Sequence, residues 1–171
     1  MIIPTLETDR LILRAPDPTD FEAFARFRVS ERSIGVGGPY TRVQAFDQMC
    51  ELFGHWFMRG YGRWMVAEKS SNEPLGVVGL FYPEDWPEPE IAWTVFENGE
   101  GKGIAFEAAM ASRQYAYETL GWDTAISCVV PDNVRSITLA KRMGAIQEGS
   151  FHHEDIGDLQ VWRHVGREAV Q

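Results

Sequence analysis

Cysteine is scarce in this chain. Cys50 and Cys128 are the only two among 171 residues, too few for a disulfide framework. Long apolar runs are missing as well, and Met1-Ile2-Ile3-Pro4 opens neither a signal peptide nor a membrane span, so a cytoplasmic protein with no membrane partner is expected. Basic residues are in deficit. The 16 Lys plus Arg face 25 Asp plus Glu, and the net charge of -9 has the wrong sign for a protein that binds nucleic acid through its overall field. That field attracts a cationic amine instead. No Pro/Gly/Ser linker, charge run or internal repeat divides the sequence, and 44% hydrophobic content can bury one full core, so residues 1–171 read as one domain.

What the chain does have is a glycine-punctuated turn, Glu100-Gly101-Lys102-Gly103-Ile104-Ala105, between a strand-like run and a helical one. Ile91 to Phe96 read as a buried strand; Ile104, Ala108, Ala111 and Tyr115 keep helical spacing up to Gly121, a C-cap. Glycine lets backbone approach a ligand with no Cβ in the way, and the new helix adds the positive end of its dipole, so the turn suits an anion. The Walker A pattern fails here, because Gly103 follows Gly101-Lys102 where Ser or Thr should hold magnesium. The dinucleotide pattern G-x-G-x-x-G fails too: it demands glycine at Ile104 or at Phe106.

The remaining pattern, Q/R-x-x-G-x-G/A, is the coenzyme A pyrophosphate motif of the GNAT superfamily of N-acetyltransferases, which this turn resembles with Gly103 and Ala105 in the small positions. Glu100 departs from it, and a carboxylate beside pyrophosphate is unwelcome, so its side chain is expected to face solvent and lend only its backbone. Other stretches extend the resemblance over nearly the whole chain, in order. Leu6 to Arg14, Tyr61 to Ala67 and Leu75 to Leu80 resemble the first three strands of the subgroup holding the ribosomal-protein N-terminal acetyltransferases. Val129 to Ser136 resembles the family's fifth strand followed by an Asn-x-x-Ser helix start, with Lys141 to Ala145 closing that helix.

The resemblance implies an α/β (α+β) GNAT fold: a mixed, mostly antiparallel sheet of about seven strands, splayed between strands four and five and flanked by about four helices. Residue patterns add detail. Asp17-Pro18 offers a cap and a proline start for a helix carrying Phe21, Phe24 and Phe27 or Arg28. Thr41-x-x-Gln44 is a capping box before a helix whose apolar face is read as Val43, Phe46, Cys50, Phe53 and Phe57. A hairpin closes the chain, Ile146 to His153 and Leu159 to Val165.

The resemblance also implies a site. Acetyl-CoA is the cosubstrate, with its pantetheine arm in the gap between the splayed strands. Backbone groups of Thr94, Val95 and Phe96 would pair with it, an N–H near Val95 polarising the thioester carbonyl, while Glu100, Gly101, Lys102, Gly103, Ile104 and Ala105 hold the pyrophosphate and Asn133 positions the cofactor. Lys102 acts on the phosphates from a distance. Glu90, where this subgroup commonly has a Glu, is the candidate general base; the plainer reading is a solvated strand-edge carboxylate beside Glu88. Ser136 is the candidate donor to the thiolate, in place of a tyrosine found there in many relatives; otherwise it is an ordinary helix N-terminal serine.

Other residues receive plainer readings. His152 and His153 adjoin on a strand and point to opposite faces, so they cannot chelate together, and no metal is expected. Cys128 reads as a small core residue, since direct transfer needs no acyl-enzyme. Phe53, Trp56 and Phe57 read mostly as core, although Trp56 and Tyr61 are candidates for the wall of a substrate pocket; Trp86, in a proline-stiffened loop, is a candidate lid or recognition surface. The expected activity is acetyl transfer to a primary amine in a ternary complex. The acceptor is left open between a peptide N-terminus and a small amine, amino acid or amine-bearing antibiotic, and a homodimer is compatible with either. The competing class is a non-catalytic acyl-CoA sensor, which would keep the glycine turn but need neither Glu90 nor Ser136.

Overall fold

Strand Arg63–Glu68 (β3) sends alternate side chains to opposite faces, and both are buried: Trp64 and Val66 on one side, Met65 on the other. A strand of this kind needs cover on both sides. In the computed structural model, which describes residues 2–169, helix Ile104–Glu118 (α3) covers the first face and helices Phe21–Arg28 (α1) and Arg42–Arg59 (α2) cover the second. Ala108, Ala109 and Ala116 of α3 are fully buried, and their small side chains let the helix axis approach the sheet closely.

One mixed sheet runs through the protein. Its remaining strands are Leu6–Glu7 (β1), Leu11–Arg14 (β2), Pro74–Phe81 (β4), Glu90–Val95 (β5), Ile126–Val129 (β6), Ile146–His153 (β7) and Gly157–Arg163 (β8), in the order β1-β2-β3-β4-β5-β6-β8-β7. All neighbours are antiparallel except β5 and β6. The expected first strand is two, because Thr8 breaks it: the Thr8 N–H donates to Leu11 O and the Leu11 N–H returns to Thr8 Oγ1. This raises the strand count to eight, and the expected splay between strands four and five is the one between β5 and β6. A fourth helix, Val134–Arg142 (α4), lies beyond β6. Among the described residues no helix is long and apolar enough to cross a membrane.

The predicted helix starts hold. Asp17 and Asp20 close a capping box over a 3₁₀ turn that leads into α1, and Thr41 with Gln44 closes the one that opens α2. The predicted apolar face of α2 does not. Ala45, Met49, Leu52 and Trp56 are buried, whereas Phe46 and Phe57 are 56% and 75% exposed and Val43, Cys50 and Phe53 are exposed with them. Two apolar stripes share this helix, and the buried one packs Met49 and Leu52 with Phe24 and Phe27 of α1 and Trp56 with Trp64 of β3.

Candidate active site

β5 and β6 share a single paired position, Glu90 with Ile126. Ile126 N–H donates to Pro89 O and Ser127 Oγ to Ile91 O, so odd-numbered residues of β5 turn their backbone groups toward β6. Even-numbered ones turn toward β4, as Phe96 N–H does in donating to Leu75 O at 2.8 Å. Past Ile91 the strands part, and a cleft of ≈ 250 Å³ opens that Trp93, Thr94 and Val95 line. Trp93 and Val95 therefore offer backbone groups to the gap. This corrects two of the three expected backbone contacts. Thr94 spends its main chain on β4 opposite Val77, and Phe96 is buried with its N–H on Leu75 and its C=O accepting from Gly99.

The far wall of the cleft is the start of α3. Gly101 and Gly103 have φ of +72° and +77°, the left-handed region that glycine enters freely, and this turns the chain sharply into the helix. Helical bonding begins only at Glu107, whose N–H reaches Gly103 O, and no side chain caps the helix. Among the described residues the N–H groups of Gly101, Lys102, Gly103, Ile104 and Ala105 have no acceptor. A 15-residue helix with an uncapped N-terminus at a cleft has the free N–H groups and the dipole that favour an anion. Ile104 sends its side chain into the core, so only its backbone serves; Ala105 lines the cleft, and Lys102 is exposed.

Glu100 requires a correction. Its side chain does not face solvent but is clamped by two arginines, Oε2 lying 2.8 Å from Arg32 and 3.1 Å from Arg135. Burial alone would raise its pKa, but Arg135 and Arg32 outweigh that and hold it low, so it stays ionised. The carboxylate that breaks the motif thus gathers two cations at the cleft mouth. Sequence reasoning missed both, since Arg32 is distant in the chain and no local pattern ties Arg135 to Glu100.

α4 begins at the opposite lip. Asn133 caps it, Oδ1 accepting from the Ser136 N–H at 3.1 Å, which gives the Asn-x-x-Ser spacing a local purpose. The Ser136 hydroxyl oxygen accepts from the Trp93 indole N–H at 3.1 Å, leaving its own proton free to be donated. Trp93, Thr94, Asn133 and Ser136 line both this cleft and a second cavity of ≈ 350 Å³, so the two volumes meet at these residues.

Glu90 stands in the second cavity. It is 5% exposed and not solvated, unlike Glu88, which is bound by Arg163 at 2.6 Å. Desolvation pushes its pKa up to about 7, against the Cys128 amide and Arg63, which favour the anion. A carboxyl group poised there exchanges protons near neutrality. The Cys128 thiol is raised strongly by burial and then by Glu90, so no thiolate nucleophile forms. Trp86 is a fixed wall of the cavity, packed edge-on against Phe81, Phe151 and His153 at 5.2 to 5.6 Å. Trp56, by contrast, is core, its indole N–H on Arg63 O, and Tyr61 packs on Trp122 and His55; neither reaches the cavity. His152 and His153 bind Asp158 and Asp85 separately, at 2.7 and 2.8 Å.

The chain matches the model of the Acetyltransferase (GNAT) domain over residues 10–146. It is 30% identical over 153 residues to the uncharacterized N-acetyltransferase YoaA of Bacillus subtilis (strain 168), covering 86% of each chain. Among solved structures, an acetyltransferase from Agrobacterium tumefaciens str. C58 is similar with a TM-score of 0.88 and 38% identity, over 96% of this chain and 95% of the other. RimL, a ribosomal L7/L12 alpha-N-protein acetyltransferase, shares the fold with a TM-score of 0.78 at 15% identity, over 96% of each chain.

Proposed function

The chain belongs to the GNAT acetyltransferase family, and from that premise we propose that it is an acetyl-CoA-dependent N-acetyltransferase acting on a primary amine by direct attack in a ternary complex. One observation carries the reading: a cleft with an uncapped helix N-terminus and an unpaired strand edge meets, at Trp93 and Ser136, a second cavity holding a buried carboxyl poised near neutrality. The first suits a pyrophosphate and a pantetheine arm; the second suits an amine that must lose a proton. The residues therefore fit the coenzyme, which supplies an activated acetyl thioester when bound.

The chain's own groups divide the remaining work. Glu90 takes the ammonium proton, directly or through a water, and so frees the amine lone pair. The Val95 N–H, facing the gap, donates to the carbonyl oxygen as charge develops there; one preorganised donor of this kind is worth ~3 kcal/mol. Ser136, its oxygen already held by the Trp93 indole, donates its proton to the departing sulfur. Arg32 and Arg135 draw the phosphates to the cleft mouth.

Thiol release from acetyl-CoA across a panel of peptides and small amines tests the proposal. Turnover with any of them eliminates a non-catalytic acyl-CoA sensor. Tight coenzyme binding with no thiol release from any amine would establish that sensor instead.

A further inference from the structure

Four buried side-chain polar atoms lack a hydrogen-bond partner among the described residues, and three of them, Arg28 Nε, Gln48 Oε1 and Trp86 Nε1, belong to side chains lining the second cavity. Two arginines line it as well. Arg28, at the end of α1, is 5% exposed, and Arg63 opens β3; neither makes an ion pair or a side-chain hydrogen bond among the described residues. Aromatic rings hold both in place. The Arg28 guanidinium lies 5.0 Å from the Phe24 ring centre and 5.5 Å from that of Tyr40, and Arg63 lies 4.2 Å from Phe81. A contact with a ring takes up no N–H donor, so the groups that match a carboxylate are left uncommitted.

Burial lowers the pKa of both, and Arg63 is held down to about 10 by desolvation and then by Arg28 itself. Two cations that repel one another in a partly dry cavity are a costly arrangement without an anion between them. Glu51 acts on both arginines and Glu90 on Arg63 through space, but none of the four carboxylates lining the cavity bonds either one, Asp85 being paired with His153 and Asp155 being exposed. Glu51 lies at the rim, exposed and unbonded to either arginine, and Glu90 is held by Cys128.

We propose that the acceptor is a small primary amine that also carries a carboxylate, which Arg28 and Arg63 bind while its amine faces Glu90. This rests on the N-acetyltransferase reading for the role of the amine, but the anion site stands on the arginines alone. Phe81, Trp86 and Tyr40 supply an apolar wall for the carbon skeleton between the two charged ends. The ≈ 350 Å³ of the cavity fits a molecule of amino-acid size.

Two measurements test this. With acetyl-CoA saturating, kcat/KM is compared within matched pairs, phenylalanine against phenethylamine and 4-aminobutyrate against butylamine. The carboxylated member of at least one pair is expected to lead by tenfold or more, and Arg63→Gln or Arg28→Gln is expected to erase most of that lead, read as the ratio within each pair so that any effect of the substitution on Glu90 is common to both members and divides out. A plain amine turned over as well as its carboxylated partner in both pairs, or a lead that survives both substitutions, overturns the proposal. Separately, the melting temperature of the coenzyme-free protein is followed with phenylacetate and with butyrate against matched sodium chloride. A rise of a few degrees is expected, lost in Arg63→Gln; no rise overturns the proposal whatever the kinetics show. Failure to bind acetyl-CoA would instead undo the enzyme reading and leave this second result standing. Should Arg28→Gln fail to fold, Arg63→Gln and the charge-keeping Arg28→Lys, which lacks the fork, carry the comparison.

Discussion

The Glu90 carboxylate accepts the Cys128 backbone N–H at 2.7 Å, bridging β5 and β6 at the rung where they stop pairing. A side chain thus continues the ladder that the main chain abandons. The same bond fixes the candidate base in the second cavity, and burial leaves it titrating near 7 rather than in the usual carboxylate range. Position and proton affinity come from one arrangement.

Replacing Glu90 by Gln separates chemistry from binding. The amide oxygen can still accept from Cys128, but it cannot take a proton, so turnover at neutral pH is expected to fall by ~10²-fold or more with coenzyme affinity nearly unchanged. In the parent protein kcat/KM should rise with pH through about 7 as Glu90 ionises. The variant should lose that limb and recover only as the amine itself deprotonates. Stopped-assay pH profiles decide this, and an unaltered profile returns Glu90 to a structural role.

The same substitution has a stability signature of definite sign. Because burial raises the Glu90 pKa from 4.5 to about 7, the folded state holds its proton more tightly than the unfolded state does. Its contribution is therefore full below about 4.5 and lost as pH rises through 7, a cost approaching ~3 kcal/mol at pH 8. Glu90→Gln is expected to melt higher than the parent at pH 8, with the difference vanishing as the pH falls below about 4.5. His164, pulled down to about 3 by burial, destabilises both proteins as pH falls below about 6.5 and cancels in the comparison. Denaturant midpoints at the two pH values measure it.

The fold and the coenzyme cleft were legible because local chemistry writes them: Gly101 and Gly103 at a strand-to-helix turn, Thr41 with Gln44, Asn133 with Ser136. What escaped depends on distance in the chain. No local pattern says that Arg32 closes on Glu100, or that Arg28 and Arg63, from a helix end and a strand start, share a cavity. The α2 face was misread because the helix carries two apolar stripes and periodicity cannot choose between them. Strand parity was readable in principle, but assigning Val95 to the gap and Phe96 to β4 needed the Ile126 to Pro89 bond to set the phase.

Glu100 offers a test in the opposite direction from most site mutations. It occupies Arg32 and Arg135 and adds a negative charge near the anion site, so Glu100→Gln should tighten acetyl-CoA binding two- to fivefold, a scale of about 0.5–1 kcal/mol, with a steeper salt dependence. Calorimetric titration at two ionic strengths reads both effects. Weaker binding would mean that the carboxylate is needed to hold the arginines in place.

Gly101 and Gly103 provide a controlled pair for the glycine turn. Both sit at left-handed φ, and a Cβ on either meets almost no protein: nothing within 4 Å at Gly101 and only Arg10 Nη2 at 3.6 Å at Gly103. Alanine at each should therefore cost a similar backbone strain, ~1–2 kcal/mol of stability. The motif assigns the close approach of the pyrophosphate to Gly103, so only Gly103→Ala should also lose coenzyme affinity, by tenfold or more. Valine at the same position, stiff at χ1 and poorly tolerated at this φ, should abolish binding. The comparison uses melting curves without ligand and titrations with it, so that strain and ligand contact are read apart. If the two alanine variants lose stability alike and bind acetyl-CoA alike, the turn is a plain strand-to-helix connection, and the pyrophosphate must be held by the arginines instead.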